Sequence, residues 1–472
     1  MVDFQSVKIS SFSEIVADLK DFKLKGGKCM NGLRKSFAFL LVLVMGLATF
    51  LAGCSGTDKA STSTKSGDSK VVQLDFWSFW GSEIRKPIIE KIVDDFNKSQ
   101  NKIHVKYTYL PFGDIWTKEL ASVAAGNPPD VIINDINTVQ QRAQKNQVQS
   151  LAEFIKKDPS IKDQYFPNLW KAVEKDGVPY ALPFNTDTRL LFWNKDIFKQ
   201  AGLDPEQPPK TWDELQAFAQ KIDQKNGDRY TRMGFLPRQS FGPDIWMLNA
   251  TGHGYWDYEQ NKPVVNDPTA VEALQWVHDY EQHYGDKVIN TFKAQFGDSQ
   301  ADPFVSGKLG MVVQTATDYT KIRDYAKGMN FGVAPMPEFK PGSGNTMWGG
   351  GFVAEIPKGA KHAEASYEFI KYLTGAKAQE YWAVKNFDSV ANVEAAKNAG
   401  QSSELSENDK RVYNAAVENM KQTILTPIPL EAPDYINLIN PELDKALLGQ
   451  KSAKQALDDA QKAVENLVES TK

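Results

Sequence analysis

Four short stretches carry side chains suited to chemistry on a partner: Phe79-Trp80-Gly81 with Glu83, Asn134-Asp135, Asn185-Thr186-Asp187-Thr188-Arg189, and Trp348-Gly349-Gly350-Gly351. A tryptophan offers a flat stacking face. A glycine beside it removes the Cβ that would hold a neighbour away. Carboxylates and amides supply hydrogen bonds, and those to a charged group contribute about 1.5–3 kcal/mol. The set fits non-covalent capture of a flat, polar molecule. It also fits hydrolysis of sugars by paired carboxylates, which stand about 5–5.5 or 6.5–9.5 Å apart in such enzymes. Asp135 and Asp187 are the available pair, and nothing in the sequence distinguishes an acid from a base. Trp246 suits the core of a helix as well as a site, and an Asp187–Arg189 pair is also what a solvated turn would carry.

Other chemistries find no support. His104, His253, His278, His283 and His362 are scattered, with no His-Glu-x-x-His pattern, so no metal is expected. There is no Gly-x-Ser-x-Gly elbow or phosphate-cradling glycine loop, and no cofactor is expected.

The elements that must position these residues alternate between strand and helix. Val71–Phe76 reads as an apolar strand running into Phe79-Trp80. Ile84, Ile88, Ile92 and Phe96 then mark one face of a helix, and Ile103, Val105, Tyr107 and Tyr109 a half-buried strand. A helix from about Phe112 stops before Pro128-Pro129, and Asp130–Ile133 forms a buried strand ending at Asn134-Asp135. Such alternation implies a parallel sheet, with ligands beyond the carboxyl ends of its strands. Further on, Arg189–Trp193 and Phe331–Ala334 read as strands, and Thr211 with Glu214 as a capping box. Asp267-Pro268 opens a helix, and the tail from about Asp409 is helical throughout.

The N-terminus speaks to location. Arg34-Lys35 precede sixteen uncharged residues, Phe37–Ala52, too few for a comfortable span of about 20. Leu51-Ala52-Gly53-Cys54 resembles the bacterial lipobox, whose cysteine takes a diacylglyceryl group before cleavage ahead of it. Residues 1–53 are therefore expected to be a signal peptide, with 54–70 the lipidated Cys54 and a Ser/Thr/Gly/Lys tether too polar to fold. Removing seven Lys/Arg and four Asp/Glu with that signal takes the net charge from −4 to −7. That balance argues against nucleic acid or an anionic membrane as partner. Cys29 leaves with the precursor, so no intrachain disulfide is expected. The remaining 419 residues exceed what one core fills, and two lobes are expected.

Taken in order, Gly126-Asn127-Pro128-Pro129-Asp130-Val131, the run Gly177 to Thr188, Asn194-Lys195-Asp196-Ile197-Phe198, Lys210-Thr211-Trp212-Asp213-Glu214-Leu215, Gly307-Lys308-Leu309-Gly310-Met311 and Trp348-Gly349-Gly350-Gly351 carry a resemblance. Together with the lipobox and tether, they resemble the carbohydrate-type extracellular solute-binding lipoproteins of ABC importers, related to maltose-binding proteins. The likeness covers nearly all of 71–465.

It implies an α/β clamp of two lobes, each a mostly parallel sheet flanked by helices, with residues 71–184 and 335–376 in one lobe and 185–334 and 377–472 in the other. The chain would first cross near Pro183 and return near Ala334 to Pro337. Phe79, Trp80, Glu83, Asp135, Trp348, Gly349 and Gly350 would then meet Asn185 and Asp187 at the hinge, faced by Trp246. The resemblance further implies a monomeric receptor, not a catalyst, that delivers a mono- or oligosaccharide to permease subunits. It would be lipid-anchored outside the cytoplasmic membrane, at a cell surface or in a periplasm.

A secreted glycosidase, or a clamp for peptides, polyamines or glycerol-phosphate esters, uses similar residues. For an anion, Arg189, Arg238 and Arg323 are the nominees. Many aromatics and few convergent arginines favour neutral sugars. Residues 1–29 are too acidic for an export signal, and translation is expected to begin at Met30. N-terminal sequencing of the unprocessed precursor should read from Met30, and a peptide from 1–29 would overturn that start.

Overall fold

Val72–Ser78 (β1) turns Leu74, Phe76 and Ser78 inward, and helix Arg85–Ser99 (α1) covers it with Ile88, Ile89, Ile92, Val93 and Phe96. Ile84 falls outside that face: it precedes the helix and is 65% exposed. Ile103–Tyr109 (β2), Asp114–Ala124 (α2) and Val131–Asp135 (β3) complete the alternating pattern, with β2 and β3 both parallel to β1. The computed structural model describes residues 71–227, 229–297 and 299–471. The expected signal peptide, Cys54 and the tether up to residue 70 lie outside the described residues. Among the described residues no helix is long and apolar enough to cross a membrane.

The chain next adds Ala181–Thr186 (β4), entirely buried, and after only Asp187 and Thr188 begins Arg189–Asn194 (β5), the central strand of a second sheet. The crossing therefore falls at Asp187-Thr188 rather than near Pro183, because β4 stays paired with the first sheet as far as Thr186. The second sheet has the order Met311–Thr315 (β6), β5, Phe331–Pro335 (β7), and is antiparallel throughout. A parallel arrangement was expected there. Its strands instead oppose β5 because β7 must carry the chain back toward the crossing that β5 leaves.

The returning strand Gly351–Glu355 (β8) inserts antiparallel between β3 and β4. Helix Ala376–Asn386 then packs on α1, and Ser389–Val390 (β9) pairs with β4, giving the order β9-β4-β8-β3-β1-β2. These two segments, expected with the second lobe, thus join the first sheet. Between them, Phe387 adopts a left-handed conformation (φ 53°) that ends the helix and precedes the buried Asp388. The first sheet, expected to be mostly parallel, is mixed: its β1 pairs are parallel, and those of β8 and β9 antiparallel.

Helices of the second half are set by their caps. Thr211 accepts from the Glu214 N–H, but Glu214 reaches the Lys210 N–H instead of completing the box. Asp267 caps Pro268–Tyr284, and Ser452 forms a full capping box for Ala453–Ser470. The tail is not wholly helical: Thr423–Ile424 pairs with Met347–Trp348 as a two-stranded ribbon.

Beneath β3 lies a buried polar network. Asn134 donates its Nδ2 to Glu119 (3.0 Å) and Glu355 (2.8 Å), while Arg142 grips Glu355 through two nitrogens, at 2.6 and 3.0 Å. Of these two carboxylates the Arg142 guanidinium bonds Glu355 alone, and Glu119 is left without it. Burial first, and the charge of Glu355 second, push its pKa to about 7. A carboxylate raised in the folded state holds a proton that the unfolded chain releases between about pH 4.5 and 7. Its contribution to stability is therefore lost across that window as pH rises. Glu119→Gln should gain on the wild type by on the order of 3 kcal/mol between pH 4.5 and 8 in denaturant unfolding. A constant difference across that range would refute the assignment.

Candidate functional site

Of the two residues that join the sheets, Asp187 is held by one cation, and Thr188 by Thr423 and Asn419. Arg189 is 5% exposed, and its Nη1 donates to Asp187 Oδ1 and to the Trp348 carbonyl, the latter at 3.0 Å. Its guanidinium lies 4.5 Å from the centre of the Trp348 ring and 4.9 Å from that of Phe241. Asp187 Oδ1 also accepts from the Gly350 N–H at 2.7 Å, tying the crossing to the start of β8. Trp348 is fixed further by the ribbon with Thr423–Ile424 and by its indole N–H, which donates to Thr426 at 3.1 Å.

In register across the first sheet, Phe352 of β8 pairs with Asp135 on one side and Asn185 on the other. These positions mark the carboxyl ends of β3 and β4, where a ligand is expected in an open α/β sheet. Two cavities open there.

The first, of about 440 Å³, is lined by Asp135, Asn137 and Thr138 after β3 and by Trp348. From the second half come Asp244, Met247 and Thr251 on helix Asp244–Thr251, and also His253, Tyr255, Tyr435 and Asn440. Its lining includes no lysine or arginine among the described residues. Burial raises the pKa of both Asp135 and Asp244, and Asp135 is partly offset by accepting the Asn137 N–H at 2.8 Å. Asp135 and Asp244 thus line the cavity together with Asp434, and no lysine or arginine lines it beside them.

The second cavity, of about 300 Å³, is more polar: Trp80, Arg85, Asn185, Asp187 and Asp388 meet Thr315, Thr317 and Asp318 beyond β6. Burial raises Asp388 as well; it accepts from Asn185 (2.8 Å) and from the indole N–H of Trp382 (3.0 Å). Asn185 in turn accepts the Phe352 N–H at 2.9 Å.

The expected residues are only partly brought together. Asp135 and Trp348 line the first cavity, and Asn185 and Asp187 the second. Trp80 reaches the second cavity with 1% of its surface exposed, because its ring packs 4.7 Å from Phe184 and 4.5 Å from Trp382. The space above Gly81 is filled by Tyr109, whose ring carbon would lie 2.1 Å from a Cβ there. Phe79 is half-buried and meets Phe352 at 4.7 Å between centroids, one ring behind the cavity wall.

Three expectations are corrected. Trp246 is fully buried, donating to the Pro237 carbonyl (2.9 Å) among Trp212, Phe235 and Trp276, so it supports its helix from behind. Glu83 is exposed and lines neither cavity, since it precedes α1 on its outer side. Gly349 admits the protein's own chain and not a ligand: a Cβ there would lie 2.3 Å from Thr423 and 2.7 Å from the Asp187 carbonyl. Gly350 acts through its N–H to Asp187.

Asp244, Tyr255, His253, Tyr435 and Asn440 were missed. Asp244 and Tyr435 each open a helix behind a proline-containing turn, the one sequence signal that could have drawn attention to them. Among the described residues no group of His, Cys, Asp and Glu has the arrangement to hold a metal ion.

Known proteins place this architecture. The chain is similar to the arabinooligosaccharide-binding protein of Bacillus subtilis (strain 168), with 25% identity over 450 residues, 91% of this chain and 98% of the relative. It is also 26% identical to the sn-glycerol-3-phosphate-binding periplasmic protein UgpB of Pectobacterium atrosepticum, over 84% of this chain and 90% of that one. Among solved structures, CpMnBP1 with mannobiose bound superposes with a TM-score of 0.70 at 27% identity, over 84% of this chain and 100% of the other. The two-lobed α/β clamp is shared with these structures. The model of the bacterial extracellular solute-binding protein family matches residues 80–380, and this chain belongs to that family.

Proposed function

We propose that this chain captures a neutral saccharide between its lobes and hands it to the membrane subunits of an ABC importer, held at the membrane outer face by lipid on Cys54. The observation that carries the reading is the first cavity: an indole, two tyrosines and the three carboxylates of Asp135, Asp244 and Asp434 around an interior lined by no lysine or arginine. Aromatic faces pack on the C–H faces of a sugar ring, and carboxylates accept its hydroxyl protons. A phosphate ester in the same place would meet Asp135 and Asp244 with no cation to offset them. The arginines nominated for an anion are engaged elsewhere, Arg189 with Asp187, Arg238 with Glu281 and Arg323 with Asp324. The relatives include binders of both an oligosaccharide and a glycerol phosphate, and this lining favours the former.

Capture without catalysis is supported by the carboxylates. Asp135 and Asp187 line different cavities, and one Asp187 oxygen is occupied by Arg189 and the Gly350 N–H. The ligand would act by touching both halves, so that closure is favoured in proportion to the contacts made only in the closed form.

A thermal-shift and calorimetry screen of residues 55–472 against mono- and oligosaccharides, with peptides and glycerol 3-phosphate as controls, tests the proposal. A saturating sugar at a hundred times its Kd adds about 2.7 kcal/mol of stability. Trp348→Ala and Asp135→Asn should each weaken its binding at least about tenfold, the loss of one stacking face or one charge-assisted bond. A shift with glycerol 3-phosphate and none with any sugar would overturn the substrate class.

A further inference from the structure

We infer that Phe112, with Trp116 behind it, forms an open platform at the cleft mouth that stacks a further ring of a saccharide too long for the enclosed cavities. This rests on the saccharide reading above and extends it to chain length. The strands β8, β3, β1 and β2 lie side by side in that order, and the ends that face the cleft carry Phe352, Asp135, Phe79 and the Tyr109–Phe112 turn. Aromatic rings therefore run from the cavity to solvent without a break. Phe352 lines the second cavity, and its ring lies 4.7 Å from Phe79 and 6.4 Å from Phe112. Phe79 and Phe112 meet edge to face at 5.1 Å, and Phe112 and Trp116 at 4.9 Å.

Burial falls along the same line. Phe79 is half-buried, while Phe112 is 64% exposed and Tyr109 45%. Trp116 is held by its indole N–H, 3.4 Å from the Ile133 carbonyl, so the outer rings rest on a fixed base. An exposed phenylalanine costs solubility, and one stacked on rings that reach a binding cavity has an occupant of matching chemistry at hand. That occupant is the end of the same oligosaccharide running past the second cavity, since the contact is continuous with that cavity through Phe352 and aromatic in kind.

Calorimetry on the mature chain with arabino- and manno-oligosaccharides, from the disaccharide to the pentasaccharide, tests this against Phe112→Ala and Phe112→Tyr. Phe112→Ala should leave the disaccharide Kd within about twofold and weaken the longer members by about three- to tenfold, with Phe112→Tyr restoring them. Equal Kd values at every length for wild type and Phe112→Ala would overturn the platform and leave the receptor intact. So would unchanged binding with reduced uptake by cells, which would assign this face to the importer's membrane subunits. Failure of every saccharide to bind would remove the receptor reading itself, and this inference with it.

Discussion

The clamp depends on one buried cation. Arg189 is the first residue of the second sheet, and its guanidinium holds Asp187 on one side of the crossing and the Trp348 carbonyl and ring on the other. Remove that charge and Asp187 loses the partner that orients it toward Gly350, while Trp348 loses the surface behind its ring. A charge-assisted contact in such a setting is worth several times an exposed pair, because little water competes for either partner. The ring that Trp348 contributes to the first cavity is thus placed by a residue that never lines it. The same bonds tie the crossing between the two sheets.

Much of the fold was legible from local pattern. The Ile88–Ile92–Phe96 face and the Asp267-Pro268 start depend on neighbours within one helical turn, and each is found where periodicity and capping place it. What was not legible depends on distant segments. Trp80 looked like a stacking face because Gly81 follows it, yet Phe184 and Trp382 bury it and Tyr109 fills the gap. The three glycines after Trp348 suggested room for a ligand, and Gly349 and Gly351 turn out to admit Thr423 and the Asn185 carbonyl. No local rule reveals a partner that arrives from residue 382 or 423.

The same reasoning explains the split among the site residues. Asp135 was selected by a strand end, and Asn185 and Asp187 as a polar run just before a strand at the expected crossing; both signals report sheet topology, and topology is what these residues share. Asp244, Tyr255 and Tyr435 come from helices and loops of the other half, whose approach is set by packing on Pro268–Tyr284 and not by any pattern of their own.

The placement of β8 has a consequence for how this chain folds as it is made. It lies between β3 and β4 in the first sheet, yet it follows them by more than 160 residues and is made only after the whole second sheet. Until residue 355 has left the ribosome, Ile133 and Asn134 lack their hydrogen-bonded neighbour and Glu355 is absent from the network it completes. Contacts so distant in sequence form slowly, because the loop between them must close first. The first sheet therefore cannot close around its central strand until late in synthesis, and the strands made before it wait for a partner that most of the chain must precede.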